Sequence, residues 1–232
     1  PSQLYLEYQL PDQVQVDAGW IILTNPWMNS YDDAMLVTAP FQGAVVNYQI
    51  SDNWRLAGIA TNAYEVMGSN NFNQNTLYNT NYGNFVAKTP NMNQKPYSDN
   101  YISNGSFALG GVYHPSDAYE LNLWGYSFSG YANTLYADSN YEFHINPINK
   151  FNFGMQIGNQ NTFPTLVGDG AVNSYLAGAK FGYSFDDWLN AEISYDNMFG
   201  PQNSFYGGGF ISPYTFTVVN DPLYTSGLGA GM

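Results

Sequence analysis

Residues 150–160 read Lys-Phe-Asn-Phe-Gly-Met-Gln-Ile-Gly-Asn-Gln. Phe151, Phe153, Met155 and Ile157 share one parity; Asn152, Gly154, Gln156, Gly158 and Gln160 share the other. Successive side chains of a β-strand point to opposite faces, so this stretch predicts a strand with one apolar and one polar face. The polar side is built from amides and glycine rather than from charge.

The same period runs outward from it. Over 174–185, Tyr175, Ala177, Ala179, Phe181, Tyr183 and Phe185 oppose Ser174, Gly178, Lys180, Gly182 and Ser184. Over 189–196, Leu189, Ala191, Ile193 and Tyr195 oppose Asn190, Glu192, Ser194 and Asp196. Val14, Val16, Ala18 and Trp20 oppose Gln15, Asp17 and Gly19; Ala44, Val46, Tyr48 and Ile50 oppose Asn47 and Gln49; Tyr141, Phe143 and Ile145 oppose Glu142 and His144. Less regular strands are expected over 4–9, 54–64, 106–113 and 119–128, the last with its phase blurred by Trp124, Tyr126 and Phe128. The total is about ten strands. Tight turns at Pro11-Asp12, Ser51-Asp52-Asn53, His114-Pro115-Ser116-Asp117, Asn146-Pro147-Ile148-Asn149 and Phe185-Asp186-Asp187 alternate with long Asn/Gly/Ser-rich links over 24–42, 67–105, 160–171 and from 199 onward; the link around Ser129–Ala132 is brief, as for a hairpin that extends beyond the membrane. Short turns on one side and long loops on the other are the pattern of a transmembrane β-barrel.

Composition points the same way. Charged residues make up 10% of the 232, against about 25% in an ordinary soluble domain. Aromatic residues make up 18%, and a lipid-facing wall with interfacial girdles uses them in this way. Trp20, Trp54, Tyr113, Trp188 and Tyr195 fall near expected strand ends, where girdles form. No run approaches the ~18 apolar residues of a membrane helix, so any membrane crossing is by strands closed into a barrel. A soluble sandwich also alternates, but its solvent face normally carries more charge. The fold expectation is all-β: one antiparallel up-and-down transmembrane β-barrel domain over 1–232. The start at Pro1 without a basic and then apolar leader, and the end at Gly229-Ala230-Gly231-Met232, set the expectation that further strands lie outside this chain.

Two segments carry a family resemblance. Asn25-Pro26-Trp27-Met28-Asn29-Ser30-Tyr31-Asp32-Asp33-Ala34-Met35-Leu36, followed by Phe41-Gln42-Gly43-Ala44, resembles the OprD-type outer-membrane porins. Gly207-Gly208-Gly209-Phe210-Ile211-Ser212-Pro213-Tyr214-Thr215-Phe216, with Asp221-Pro222-Leu223-Tyr224-Thr225, resembles a late loop of the same family. The resemblance implies a barrel of about eighteen strands, often trimeric, in the bacterial outer membrane. It also implies loops that fold inward to narrow the pore, and passage of small polar or charged solutes. One departure stands out: the family's Asp-x-Arg-Met arginine is Ala34 here.

The strand assignment puts Glu7, Asp17, Arg55, Glu120, Glu142, Lys180, Glu192 and Asp196 on polar faces, hence on the expected lumen wall. Arg55 and Lys180 are the only basic residues in that assignment. The acids prevail, so the expectation is a general or weakly cation-preferring pore. Asp32 and Asp33 are the candidate acids of an inward-folded constriction loop.

Other functions find little footing. Cysteine is absent, and the two histidines have no evident Ser or Asp partner, so no enzyme and no cofactor are expected. His144 beside Glu142 falls short of the three or four ligands a metal needs. Gly207-Gly208-Gly209 lacks the Lys-Ser/Thr of a phosphate loop. A net charge of −13 argues against nucleic acid. The competing readings are a soluble all-β carbohydrate-binding module and an outer-membrane barrel used as an adhesin or scaffold. The expected partners are outer-membrane lipid, small solutes or ions and, through the resemblance, two further copies of the chain.

Overall fold

The computed structural model describes residues 3–11, 13–30, 40–65, 72–73, 105–129, 132–161, 172–186, 188–201, 204 and 209–210. These form thirteen strands: β1 (Leu4–Leu10), β2 (Val14–Ile21), β3 (Thr24–Asn25), β4 (Met28–Asn29), β5 (Phe41–Ser51), β6 (Trp54–Glu65), β7 (Phe72–Asn73), β8 (Ser106–Ser116), β9 (Tyr119–Phe128), β10 (Ala132–Asn146), β11 (Asn149–Asn161), β12 (Asn173–Phe185) and β13 (Leu189–Phe199). Ten long strands make one antiparallel sheet in the order β1-β2-β5-β6-β8-β9-β10-β11-β12-β13. The short β7 adds to β6, and β3 pairs only with β4 as a separate hairpin. The long strands are the ten expected from sequence.

Local chemistry explains the tight turns. At the β10–β11 turn the Asn146 side-chain oxygen accepts the N–H groups of Ile148 (3.1 Å) and Asn149 (2.9 Å). Such an Asx turn reverses the chain without help from neighbours. Asp186 turns the chain from β12 to β13 with φ at 49°, the left-handed region that aspartate tolerates better than most residues.

Two expectations need correction. β10 begins at Ala132, at the end of the brief link expected around Ser129–Ala132, whereas the sequence alternates cleanly only from Tyr141. Its first half sets Leu135, Ala137 and Ser139 against Thr134, Tyr136 and Asp138, so an aromatic sits on the polar parity and a serine on the apolar one. The alternation is real but its contrast is weak. Tyr195, expected near a strand end, lies inside β13 because that strand continues to Phe199.

Ladder register assigns every side chain to a face. One face carries Glu7, Asp17, Asn47, Arg55, Asn122, Asp138, Gln156 and Asp196; the β3–β4 hairpin covers it, and it is called inward here. The outward face carries the apolar set. Leu6 is 81% exposed and Ile193 72%, and Leu109, Leu135 and Ile157 stand open beside them. Among the described residues, all the large exposed apolar side chains are outward apart from Tyr5 and the turn residues Ile148 and Trp188. A soluble protein rarely leaves a contiguous apolar patch of more than a few hundred Å² in water, about the size of an interaction site. Here large exposed apolar side chains stand on eight of the ten long strands, β2 and β6 excepted, which speaks against the soluble-module alternative.

Aromatic rings mark the outward rim at the tight-turn end. Trp54 stacks on Tyr113 at 4.7 Å, Phe143 on Phe151 at 5.5 Å, and Phe151 meets Tyr183 at 5.0 Å. Trp188 sits edge-on to Phe185 at 5.6 Å. At the loop end Trp20 meets Phe72 at 5.1 Å. Such rings at the two ends of a wall suit the two interfaces of a bilayer.

A cation near the centre of the outward face tests this orientation. Ile157→Arg is expected to lower stability in phospholipid vesicles by about 2–4 kcal/mol. Asn152→Arg, one face over on the same strand, is expected to cost far less. Urea midpoints of vesicle-refolded protein compare the two; equal losses would contradict the assignment of faces.

Candidate functional site

The inward face gathers the charged residues. All eight residues expected on the polar faces lie on it. Glu7 stands opposite Asp17 across β1 and β2. Arg55 stands opposite Gln49 on one side and Val112 on the other. One transverse row runs Asn122, Asp138, Gln156, Gly178, Asp196 across β9 to β13. Side-chain hydrogen bonds follow it. Asn122 donates to Asp138 (3.0 Å) and to Glu120 (3.0 Å). Gln156 donates to Asp196 (2.8 Å) and accepts from the Tyr136 hydroxyl (2.9 Å). Gly178 leaves the space that the Asp196 carboxylate occupies, and any side chain there would displace it.

The next rows toward the tight turns hold ion pairs. Lys180 reaches Glu192 at 3.7 Å, its stem lying over Gly154. Glu142 receives His144 at 2.8 Å and Lys150 at 3.7 Å on the same oxygen. His114 lies 3.7 Å from Glu120 and 3.8 Å from Asp117. Half-exposed pairs like Glu142–Lys150 stabilise a fold by at most about 1 kcal/mol, so they matter more for the field along the face than for its folding.

Sequence reading missed parts of this set. Lys150 is a third cation on the inward face, paired in register with His144. It sits at the first position of its alternating stretch, where parity has one neighbour instead of two. Asp138 was missed with the first half of β10. Trp124, Tyr126 and Phe128, which blurred the phase of β9, are all inward. At ladder positions among the described residues, seven carboxylates (Glu7, Asp17, Glu120, Asp138, Glu142, Glu192 and Asp196) share the face with Arg55, Lys150 and Lys180. Asp32 and Asp33, the constriction-loop candidates, lie outside the described residues.

At the loop end the inward face is covered. The β3–β4 hairpin turns at Pro26-Trp27. Asn25 caps the turn by accepting the Met28 N–H at 3.1 Å. Ser30 closes it twice, donating its N–H to the Leu23 carbonyl (2.8 Å) and accepting the Leu23 N–H on its hydroxyl (3.0 Å). Proline presets the backbone angle of such a turn, and the asparagine bonds to the backbone beyond it. The hairpin drives Trp27 and Met28 into full burial. Trp27 meets Tyr136 of β10 edge-on at 5.5 Å and Phe210 edge-on at 4.8 Å. Phe210 lies over Gly158, where a Cβ would come within 2.6 Å of its ring. Thus residues of the two motif segments, distant in sequence, meet over the inward face. They join Ile59, Ala108, Tyr126, Phe128 and Leu176 in an apolar cluster that narrows this end.

On the tight-turn side of the hairpin lies a cavity of about 990 Å³. Inward residues of β1, β2, β5, β6, β8 and β9 line it, with Thr24, Asn25 and Pro26 as its roof. Six neighbouring strands span about 24 Å at ~4.8 Å each. All six line one half-open cavity because the sheet curls with its polar face inside.

A curled antiparallel wall, apolar outside, polar inside and obstructed by inward-folded loops, defines the fold of outer-membrane channel barrels. Solved structures of that class superpose on it. Pseudomonas aeruginosa OpdK, solved with vanillate, matches with a TM-score of 0.68 and 15% identity, over 88% of this chain and 50% of that one. Acinetobacter baumannii OccAB3 matches with a TM-score of 0.66 and 15% identity, over 88% of this chain and 47% of that one. Pseudomonas aeruginosa OccD3 (OpdP) matches with a TM-score of 0.65 and 14% identity, over 80% of this chain and 40% of that one. These neighbours are large β-barrel porins, and this chain spans half of their length or less. No protein-family model matches the sequence, and no curated protein matches it significantly.

Trp27→Ala removes the ring between Tyr136 and Phe210. It is expected to destabilise the hairpin cover by about 3–5 kcal/mol. The check is limited proteolysis: cleavage should accelerate within residues 22–30, while the wall keeps its heat-dependent shift on denaturing gels. Unchanged cleavage would mean the cover does not depend on this contact.

Proposed function

We propose that this chain is part of a bacterial outer-membrane channel for passive diffusion of small polar or charged solutes, with outer-membrane lipid as its surroundings. One observation carries the reading: apolar side chains stand exposed on the outside of the curled sheet while amides and charges line the inside. That inversion suits a wall between lipid and water. The hairpin under Trp27 supplies the narrowing that separates a selective pore from an open one.

The field along the inside favours cations. Seven carboxylates against three cations at the described ladder positions leave that wall negative, and rings of like charge set the sign of the permeant ion. The solutes expected to pass best are therefore neutral or cationic rather than carboxylates. Assembly into a homotrimer follows the family resemblance, and crosslinking in native membranes reads it directly.

Planar bilayers containing the whole protein test the selectivity. In a potassium chloride gradient the reversal potential is expected to have the cation-selective sign. Asp17→Asn combined with Asp196→Asn is expected to move it toward zero. An anion-selective sign in the unaltered protein would refute the preference, and absence of any conductance would refute the channel.

A further inference from the structure

The cavity beneath the hairpin differs in chemistry from the charged rows beside it. Its inward wall is dense in side-chain amides: Gln9, Gln13, Gln15, Asn47, Gln49 and Asn122 all reach it. Its formal charges are few, Asp17 and Arg55 on the wall and Asp52 at the turn. Nearby carboxylates orient two of the amides. Asn122 donates amide hydrogens to Glu120 and Asp138, which turns its carbonyl the other way as an acceptor. Gln15 donates to Asp17 at 3.1 Å, with the same consequence.

Trp124 forms part of the same wall, and its pose is imposed. Gly110 stands directly across the ladder from it. A Cβ built on Gly110 would run into the central atoms of the indole, so the ring lies flat against the sheet over a residue with no side chain. Tyr126 holds it in that plane, stacked at 5.6 Å with 18° between the rings. One face of the indole is therefore spent on the backbone of β8. Trp124 is half-buried and borders the cavity, so what a solute meets is the part of the indole that Gly110 and Tyr126 leave uncovered.

From this juxtaposition of a flat indole and a wall of oriented amides we infer that the cavity is a binding subsite for a neutral saccharide. A pyranose ring has C–H faces that pack on an aromatic plane. Its rim hydroxyls both donate and accept, as side-chain amides do. A charged solute would instead find strong, charge-assisted bonds at the ion-paired rows nearer the tight turns. The volume of about 990 Å³ lies at the upper end of small-molecule sites, about 300–1,000 Å³, and accommodates more than one sugar ring. The inference deepens the channel reading and rests on it for the route by which solute arrives.

Equilibrium binding in micelles tests it apart from conduction. The whole protein is held in a polyoxyethylene detergent, since sugar-headed detergents would compete, and titrated with maltotriose while tryptophan fluorescence is followed. Saturable millimolar binding is expected. Trp124→Ala is expected to weaken it at least about tenfold, the loss typical of a stacking platform. Trp124→Phe, which keeps an aromatic face, is expected to retain most of the affinity, and heat-shift gels confirm that each variant is folded. Should Trp124→Ala fail to fold, Asn47→Ala is expected to weaken binding in its place. No saturable binding, or binding that folded Trp124→Ala leaves unchanged, overturns the inference; so does tighter binding of benzoate or L-arginine to the same site. A protein that conducts ions but does not bind maltotriose loses the subsite and keeps the channel. One that binds maltotriose without conducting keeps the subsite and loses the channel.

Discussion

The constraint on which the rest depends is that the wall must satisfy its backbone hydrogen bonds within the sheet, as the proposed setting in hydrocarbon demands. An unpaired N–H or C=O costs several kcal/mol there, roughly the value of a lost bond in an apolar medium. A long antiparallel meander meets this demand strand by strand, as in the thirteen-residue ladder from Asn149–Phe185 to Asn161–Asn173 between β11 and β12. Once the ladder is continuous, side-chain position has only two values. Ile157 must face out if Gln156 faces in. The separation of a lipid-compatible surface from a hydrated one is thus a consequence of pairing.

The inward face shows what that division makes available. A lining of Asn, Gln, Ser and Gly leaves room for water, and its few charges can act over distance because little else competes with them. Asp138 and Asp196 are held by the amides of Asn122 and Gln156. The hydrogen bonds thereby hold the two carboxylates of the transverse row in place. Two of the three cations sit elsewhere: Lys150 and Lys180 belong to rows nearer the tight turns, each beside a glutamate, while Arg55 continues the transverse row beyond Val112. Polarity therefore changes along the face, from ion pairs, through the carboxylate–amide row, to the apolar cluster under the hairpin.

That apolar cluster reverses the usual place of a core. In a soluble domain the buried side chains hold the sheet's inner face together from end to end. Here ladder hydrogen bonds hold the wall, and among the described residues the buried apolar side chains gather inside the loop end, where Trp27, Met28, Phe41, Phe128 and Phe210 are fully covered. Those side chains contribute to positioning loops across the face. Glycine at 158 and at 110 serves the same end by letting an aromatic ring lie against the backbone, Phe210 in one case and Trp124 in the other.

The sequence by itself determined the strands, their turns and, through parity, the face of Glu7, Asp17, Arg55, Glu120, Glu142, Lys180, Glu192 and Asp196. It could do so because strand periodicity is local: each residue's face is set by its neighbours two positions away. Its failures were also local. The first half of β10 was lost because Tyr136 and Ser139 invert the expected contrast, and Lys150 because it stands at the edge of its pattern. Only the tertiary structure decided that Trp27 and Phe210 meet over Gly158, that Trp124 lies flat on Gly110, and that Asn122, Asp138, Gln156 and Asp196 form one row. Those contacts depend on strand register and on how far the sheet curls. Both are settled by many ladder bonds acting together, and no short stretch of sequence carries them.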